Sequence, residues 1–335
     1  MVENAKPAEN ARTAGNVKTA ETGKSAASAD SENTTSPFQK HSKIFLLLIA
    51  LLLIAFLIYY FARPPSKFYV DPEGRGHYPA ERGLMRFTEE LISQDADYNI
   101  FKVLFDSNGT DVFGKLWLPK GSKDSAAILL LPGGSVPKEA GSTYADVFRA
   151  GGIAIFALDQ RGIGESKAQP PGSMQEEYGL FASGRETISI LMAYDALKAF
   201  DYLRQRDDID DSKIIIIGES MGGRNAIIAG AMDNRFKLVV GISTGGYGKP
   251  EATDNEQVTK FLRSFDPDNY ISQISPRKVA LFHSTEDTVQ PYSIGYKTYG
   301  FAKEPKVFYQ VSCKTHGLCD EMMPKLEEEV ADAIK

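Results

Sequence analysis

A tight strand-to-helix turn at Ser220 constrains the fold of this 335-residue chain more than any other feature. Residues 213–217 read KIIII, a run typical of a strand that is buried on both faces. Residues 218–222 read GESMG, and the Ala- and Ile-rich stretch over 222–232 then favours a helix. The glycines on either side of the serine leave room for a sharp turn. The pattern therefore predicts a strained strand–turn–helix unit with Ser220 at its tip.

Strands and helices alternate on both sides of this unit. Short apolar runs predict eight strands, at residues 101–105, 112–118, 126–131, 153–158, 213–217, 238–242, 279–283 and 306–311. Helical patterns predict helices over 187–205, 222–232, 255–263 and 293–299, and a final helix from about 319 to the end. This alternation indicates an α/β fold with a mostly parallel, eight-stranded sheet and helices on both faces.

The partners that Ser220 needs follow it in the chain. A serine hydroxyl becomes a good nucleophile only beside a base, and the base needs a carboxylate to orient it. Of the two later histidines, His283 falls at the end of a strand and is interpreted as a packing residue, whereas His316 follows the last strand. Asp287 lies in the turn after the seventh strand, next to the competing acid Glu286. Since the loops after parallel strands share one edge of the sheet, the predicted catalytic residues are Ser220, Asp287 and His316.

An oxyanion hole is predicted at the same edge. It requires two backbone N–H groups, one from the residue after the nucleophile and one from the loop after a neighbouring strand. Met221 is the first predicted donor. The second is expected in the loop LPGGS over residues 131–135, where Gly134 is the predicted donor and Ser135 the alternative.

With these motifs the chain resembles the α/β-hydrolase superfamily over roughly residues 98–335. The resemblance rests on GESMGG at 218–223, on DQRGIGES at 159–166 and on the turn that contains Asp287 and ends in VQP. Within the superfamily the chain is similar to the dienelactone-hydrolase and prolyl-oligopeptidase-like groups. In those groups a strand such as VFGKLWLP at 112–119 precedes the oxyanion strand.

The resemblance implies a reaction. A serine rather than a cysteine at position 220 favours ester or amide hydrolysis over dienelactone chemistry. The chain is expected to cleave carboxylic esters through an acyl-enzyme on Ser220, with a small-molecule ester or acyl substrate and with no metal or organic cofactor. The alternatives are a prolyl-oligopeptidase-like peptidase and a non-catalytic binding protein with the same fold. One departure is the PG at 132–133, where many relatives have His-Gly.

The composition changes sharply before the first predicted strand. Residues 1–43 are rich in small polar and charged residues and are expected to form a disordered tail. Residues 44–62 are uncharged and almost wholly apolar. At about 1.5 Å per residue they just cross a hydrocarbon core of about 30 Å, so they predict a single transmembrane helix in the lipid bilayer. Residues 63–94 are expected to be a tether, and residues 95–335 the hydrolase domain.

Two signals disagree on the side of the membrane that the hydrolase domain faces. Lys and Arg are slightly more numerous after the predicted span than before it, which favours a cytoplasmic C-terminal side. A long polar tail before a late apolar span is instead typical of a signal anchor. On that ground we expect a single-pass protein of the cell membrane with an extracytoplasmic hydrolase domain.

The charge of the chain argues against one class of partner, and its two cysteines leave two structural possibilities open. The formal net charge of −6, with Lys and Arg dispersed along the chain, argues against a nucleic-acid partner. Cys313 and Cys319 lie three residues on either side of His316. They are either two small buried apolar residues or a disulfide that closes a loop around His316. The disulfide requires an oxidising compartment and Cα atoms within about 7 Å of each other.

Overall fold

The structure is a computed structural model that describes residues 45–56, 68–83, 85–248 and 253–335. The chain divides into two units, which are treated separately below. The first is Met1–Arg63 and the second is Pro64–Lys335.

The first unit contains helix α1, which is described over residues 45–56 and has exposed side chains throughout. Within the described ranges, no helix combines the length and the apolar character needed to cross a membrane. The predicted transmembrane helix over 44–62 is therefore not confirmed. Residue 44, residues 57–62 and the tail predicted over 1–43 lie outside the described residues.

The second unit is built on a nine-stranded sheet and a small two-stranded ribbon. The ribbon pairs β1 (Tyr69–Val70) with β2 (Gly76–His77), and the sheet consists of β3 (Phe87–Gln94), β4 (Tyr98–Asp106), β5 (Asp111–Pro119), β6 (Ser125–Leu131), β7 (Ala154–Leu158), β8 (Ile209–Glu219), β9 (Leu238–Ile242), β10 (Lys278–Ser284) and β11 (Lys306–Val311). The strands lie in the order β11-β10-β9-β8-β6-β7-β5-β4-β3. The first six in this order are parallel, and β5, β4 and β3 run antiparallel to their neighbours.

Helices cover both faces of this sheet. They are α2 (Gly141–Val147), α3 (Met174–Ala182), α4 (Ile188–Arg204), α5 (Met221–Met232), α6 (Glu256–Ser264), α7 (Tyr292–Phe301) and α8 (Met323–Ala333). Side chains alternate along β8: Ile214 and Ile216 pack in one apolar cluster with α4 and α5, and Ile215 and Ile217 pack in another with α2 and α8. All four isoleucines are fully buried, which explains the continuous apolar run in the sequence. The predicted α/β fold with a mostly parallel sheet is confirmed.

The prediction of eight strands is wrong by one strand. Each of the eight is present, but β3 adds a ninth inside the segment predicted as a tether over 63–94. β3 lies at the edge of the sheet, where β4 is its one neighbour among the strands that the structure describes. All eight of its residues are exposed. An edge strand without a buried face lacks the apolar alternation from which strands are predicted.

The segment before β3 also packs onto the hydrolase domain. The N–H of Gly76 donates to the hydroxyl of Tyr270 at 2.6 Å. The guanidinium of Arg82 donates to Asp201 at 2.8 and 2.7 Å and to Asp233 at 2.8 Å. These contacts attach the residues around Arg82 to the second unit, before the domain boundary predicted at residue 95.

The carboxyl ends of the parallel strands lie at one edge of the sheet, which we term the carboxyl edge. The loops after β6, β8, β10 and β11 carry Gly134, Ser220, Asp287 and His316 respectively. The fold therefore brings every predicted site residue to the same edge, as expected for a parallel α/β sheet.

Candidate active site

Ser220 occupies the turn between β8 and α5. Its backbone torsions, φ 52° and ψ −116°, lie in a region that residues other than glycine rarely adopt. The N–H of Ser220 donates to the carbonyl of Ile242 at 2.9 Å, and its own carbonyl accepts from the hydroxyl of Thr244 at 2.7 Å. Hydrogen bonds from the end of β9 therefore hold the serine in its strained conformation.

Two glycines permit this turn because backbone segments approach each other closely. A Cβ atom on Gly218 would lie 2.3 Å from the carbonyl oxygen of Gly222, and a Cβ atom on Gly222 would lie 2.0 Å from that of Leu131. Neither neighbour is a flexible side chain, so any larger residue would push the backbone apart. The close approach also brings Ser220 beside the loop that follows β6.

Asp287 and His316 form a hydrogen-bonded pair. Nδ1 of His316 lies 2.8 Å from Oδ2 of Asp287, and the Asp287 side chain is fully buried. Burial favours the neutral acid, but hydrogen bonds from His316 and from the N–H groups of Gln290 and Val289 outweigh it and hold the pKa of Asp287 below its ordinary value. The ionised carboxylate favours a proton on Nδ1 of His316, which leaves Nε2 as the ring nitrogen with a free lone pair.

The competing acid and base take other roles. His283 is buried in β10, where Nε2 donates to the carbonyl of Gln290 at 2.8 Å and lies 3.7 Å from the carboxylate of Asp287. His283 thus supports the loop that carries Asp287, in agreement with its interpretation as a packing residue. Glu286 accepts from the hydroxyl of Ser312 at 2.8 Å. Asp287, and not Glu286, is therefore the carboxylate that contacts His316.

Neighbouring residues join the nucleophile to the base loop, which we define as residues 312–319. The carboxylate of Glu219 accepts from the N–H of Leu318 at 3.2 Å. A Cβ atom on Gly317 would lie 2.4 Å from the same carboxylate oxygen. Glu219, next to Ser220, is thus bonded to Leu318, two residues after His316.

The two predicted oxyanion donors lie close together at the carboxyl edge. Met221 is the first residue of α5, and the first N–H groups of a helix have no acceptor within it. A Cβ atom on Gly134 would lie 4.0 Å from both Cβ and Sδ of Met221. Ser135, the alternative donor, has a φ of 65°, so the loop turns sharply just after Gly134. The positive end of the α5 dipole lies at the same point, where it favours a developing negative charge.

A disulfide between Cys313 and Cys319 closes the base loop around His316. Their Cα atoms lie 6.7 Å apart. Of the two possibilities that the sequence left open, the structure has the bridge. Cys319 is buried in the same apolar cluster as Leu326 of α8. The bridge therefore connects the loop of His316 to the packing of the last helix.

Gln160 supports the loop after β6 that carries Gly134, a role that the sequence did not reveal. Its side-chain amide donates to the carbonyl of Pro132 at 2.5 Å and accepts from the amide of Asn225 at 2.7 Å. Both amide side chains are buried. Gln160 belongs to the motif at 159–166, which carries part of the resemblance to the superfamily. Its one sequence signal is its position, two residues after the end of β7.

Known proteins are similar to this chain in sequence or in fold. A family model described as serine aminopeptidase, S33, matches residues 122–280. The Salmonella typhi protein YfhR is 27% identical over 167 residues, and this chain spans about half of its length, 51%. An acetyl xylan esterase from Paenibacillus sp. R4 has a TM-score of 0.65 at 20% identity, covering 76% of this chain and 90% of that one. A glucuronoyl esterase from Solibacter usitatus has a TM-score of 0.54 at 16% identity, covering 80% and 88%. The chain therefore has the α/β-hydrolase fold.

The α/β-hydrolase fold accounts for the order of the site residues along the chain. Ser220, Asp287 and His316 follow β8, β10 and β11, which is the nucleophile, acid, base order of this fold. The family match ends at residue 280, before the acid and the base. The match therefore has no bearing on the roles predicted for Asp287 and His316. The predicted resemblance to this superfamily is confirmed.

Proposed function

We propose that this α/β hydrolase is a serine hydrolase that cleaves carboxylic esters through an acyl-enzyme on Ser220. The observation that carries the proposal is the strained turn of Ser220 at the same sheet edge as the hydrogen-bonded Asp287–His316 pair. A strained serine, a histidine and a buried carboxylate at one edge of the sheet are the groups that acyl transfer requires.

Each residue has a defined part in the proposed reaction. The Oγ of Ser220 attacks the acyl carbonyl carbon while Nε2 of His316 takes its proton. The N–H groups of Met221 and Gly134 hold the oxyanion, each contributing about 3–4 kcal/mol to lowering the barrier. Collapse of the tetrahedral intermediate breaks the ester C–O bond, and the departing alcohol takes the proton from His316. Water then attacks the acyl-enzyme by the same route, which releases the carboxylic acid and restores Ser220.

Two comparisons favour different substrates. The acetyl xylan and glucuronoyl esterases share the fold, and their names support an ester bond as the bond that is cleaved. The serine aminopeptidase model supports a peptide bond instead, which makes a peptidase the second candidate. We favour the ester because two of the similar structures, each matched over three quarters of the chain or more, are esterases.

A substrate panel separates these two functions. We expect kcat/KM on p-nitrophenyl esters of short acyl chains to exceed that on aminoacyl p-nitroanilides, with both activities absent from the Ser220→Ala variant. A preference for the anilides that also depends on Ser220 would identify a peptidase. Ester turnover that survives in Ser220→Ala would contradict a serine hydrolase altogether.

We further propose that residues 44–62 anchor the protein in the cell membrane and that the hydrolase domain lies outside the cytoplasm. The apolar length of this segment supports the anchor. The Cys313–Cys319 disulfide supports an oxidising compartment, because cytosolic thiols are kept reduced. We expect the native protein to resist extraction from membranes by alkaline carbonate and to be cleaved by protease added to intact cells. Release by carbonate would contradict the anchor, and a protected domain would contradict the orientation.

A further inference from the structure

The base loop is held from three neighbouring strands. Asp287, after β10, holds the side chain of His316. The hydroxyl of Ser243, directly after β9, accepts the next backbone N–H of the loop at 3.0 Å. The carboxylate of Glu219, the last residue of β8, accepts the following N–H at 3.2 Å. Three consecutive residues of the base loop are thus fixed by the ends of three parallel strands.

Ser243 is itself firmly placed. It is completely buried, and its N–H donates to the carbonyl of Phe282 in β10 at 2.9 Å. Its φ of 47° is uncommon for a residue other than glycine. A strained and buried serine whose hydroxyl accepts from the base loop indicates a position that the surrounding structure determines.

Both carboxylate oxygens of Glu219 are used. Oε2 accepts from Leu318, and Oε1 accepts from the hydroxyl of Tyr144 at 2.6 Å. Burial and the charge of Glu219 raise the pKa of Tyr144 well above its ordinary value, so Tyr144 keeps its proton and remains a donor. Gly317 has a φ of 98° and lies against Oε2, so a side chain there would be strained and would displace the Glu219 carboxylate. The close fit indicates a fixed connection between the turn of Ser220 and the base loop.

We propose that Glu219 and Ser243 are positioning residues, which act on the reaction through His316. They hold the base loop so that the imidazole faces Ser220 in a reactive geometry. This inference rests on the proposed function, in which His316 is the base for Ser220. A displacement of about 1 Å at a reacting group lowers a rate by up to about 100-fold, so losing either acceptor is expected to lower kcat more than it changes KM.

Three variants test the proposal with a p-nitrophenyl ester as the substrate. We expect Glu219→Ala and Ser243→Ala to lower kcat roughly tenfold or more, with KM within about twofold of the wild type. Glu219→Gln is expected to retain kcat within about threefold. Its amide oxygen still accepts from the base loop, and its amide nitrogen donates to the hydroxyl of Tyr144, which also accepts. Recovery by the glutamine shows that the hydrogen bonds, and not the charge, are what matter.

Glu139→Ala is the matched control, because this exposed carboxylate lies near the same sheet edge and its nearest cation, Lys138, is 3.6 Å away. We expect its kcat to equal that of the wild type. The proposal is overturned if Glu219→Ala and Ser243→Ala keep kcat within twofold, or if Glu219→Gln loses as much activity as Glu219→Ala. Should Glu219→Ala fail to fold, Ser243→Ala and Glu219→Gln decide. A wild-type turnover that does not depend on Ser220 would instead overturn the proposed function, and this inference with it.

Discussion

At the scale of single residues, Ser220 has a strained backbone and Asp287 has a buried, ionised carboxylate. The backbone of Ser220 has a conformation that costs about 1–3 kcal/mol for a residue other than glycine. Hydrogen bonds to Ile242 and Thr244 hold it there. Asp287 is buried but ionised, because three hydrogen bonds hold its pKa below its ordinary value. Both features keep the reactive groups in one geometry before any substrate is present.

The two histidines near Asp287 should respond differently to substitution. We expect His316→Ala to lower kcat on a p-nitrophenyl ester at least about 1,000-fold, because Ser220 then lacks its base. His283→Ala should mainly lower stability, by about 1–3 kcal/mol, because it leaves the carbonyl of Gln290 without its donor. Steady-state kinetics and urea unfolding of both variants check this. If His283→Ala alone silenced a folded enzyme, the base would be misassigned.

The sequence was sufficient to place Ser220, Asp287 and His316 at one sheet edge, and insufficient for the residues that contact them there. Ser220, Asp287 and His316 were predictable because each follows a recognisable strand and the fold fixes their order. Glu219 and Ser243 contact the base loop only through the alignment of strand ends that are distant in the chain. A local sequence pattern does not indicate such an alignment.

The disulfide acts at the scale of one element, the base loop. A ring of this size stabilises the folded state by a few kcal/mol at most, so its main effect is expected on the position of His316. We expect the Cys313→Ser/Cys319→Ser double variant to lower kcat severalfold while the domain stays folded. Reducing agent should lower the kcat of the wild type to the same level and leave the double variant unchanged. Equal kcat values for the oxidised wild type and the double variant would contradict this role.

Two buried carboxylates from the segment after α6 meet beside Gly246, which lies in the loop after β9. A Cβ atom on Gly246 would lie 2.3 Å from Oδ1 of Asp268 and 2.4 Å from Oδ1 of Asp266. In the part of the chain that the structure describes, Oδ1 of Asp268 has no hydrogen-bond partner. Burial, with the charge of Asp266 adding to it, raises the pKa of Asp268. Ionisation of Asp268 therefore opposes folding at neutral pH.

Asp268→Asn should remove this effect. An acid whose pKa is raised on folding stabilises the fold most below its unfolded pKa, about 4, and that contribution is lost as the pH rises through its folded pKa. We expect the variant to be more stable than the wild type by about 1 kcal/mol at pH 7, with a smaller gain near pH 4. Urea unfolding at both pH values measures it, with the exposed Asp254→Asn as the control. A gain that grows towards pH 4 would contradict the assignment.

At the scale of the whole molecule, burial decided which parts of the fold were predictable. The inner strands read as continuous apolar runs because both of their faces are covered, and these strands were predicted. β3 has eight exposed residues and lies at the sheet edge, so its sequence resembles a polar linker. The segment around Arg82 is attached through charges and hydrogen bonds, which leave no periodic signal.

Arg82 should be essential for the stability of the whole domain. Its side chain is 2% exposed and pairs with Asp201 and Asp233, whose side chains are 8% and 1% exposed. We expect Arg82→Ala to lower the free energy of unfolding by about 3 kcal/mol, because two buried carboxylates lose a partner. The exposed Arg86→Ala should change it by less than about 0.5 kcal/mol. A loss below 1 kcal/mol in Arg82→Ala would mean that this segment is a tether after all.

Covalent labelling of the serine tests the central claim most directly. A fluorophosphonate reacts only with a serine that a neighbouring base activates, so the adduct identifies the nucleophile. We predict one adduct per chain, located by mass spectrometry on the peptide that contains Ser220, with ester turnover falling in proportion to labelling and no adduct on Ser220→Ala. An intact, folded protein that stays unlabelled, or that is labelled and inactivated at another residue, would contradict the account.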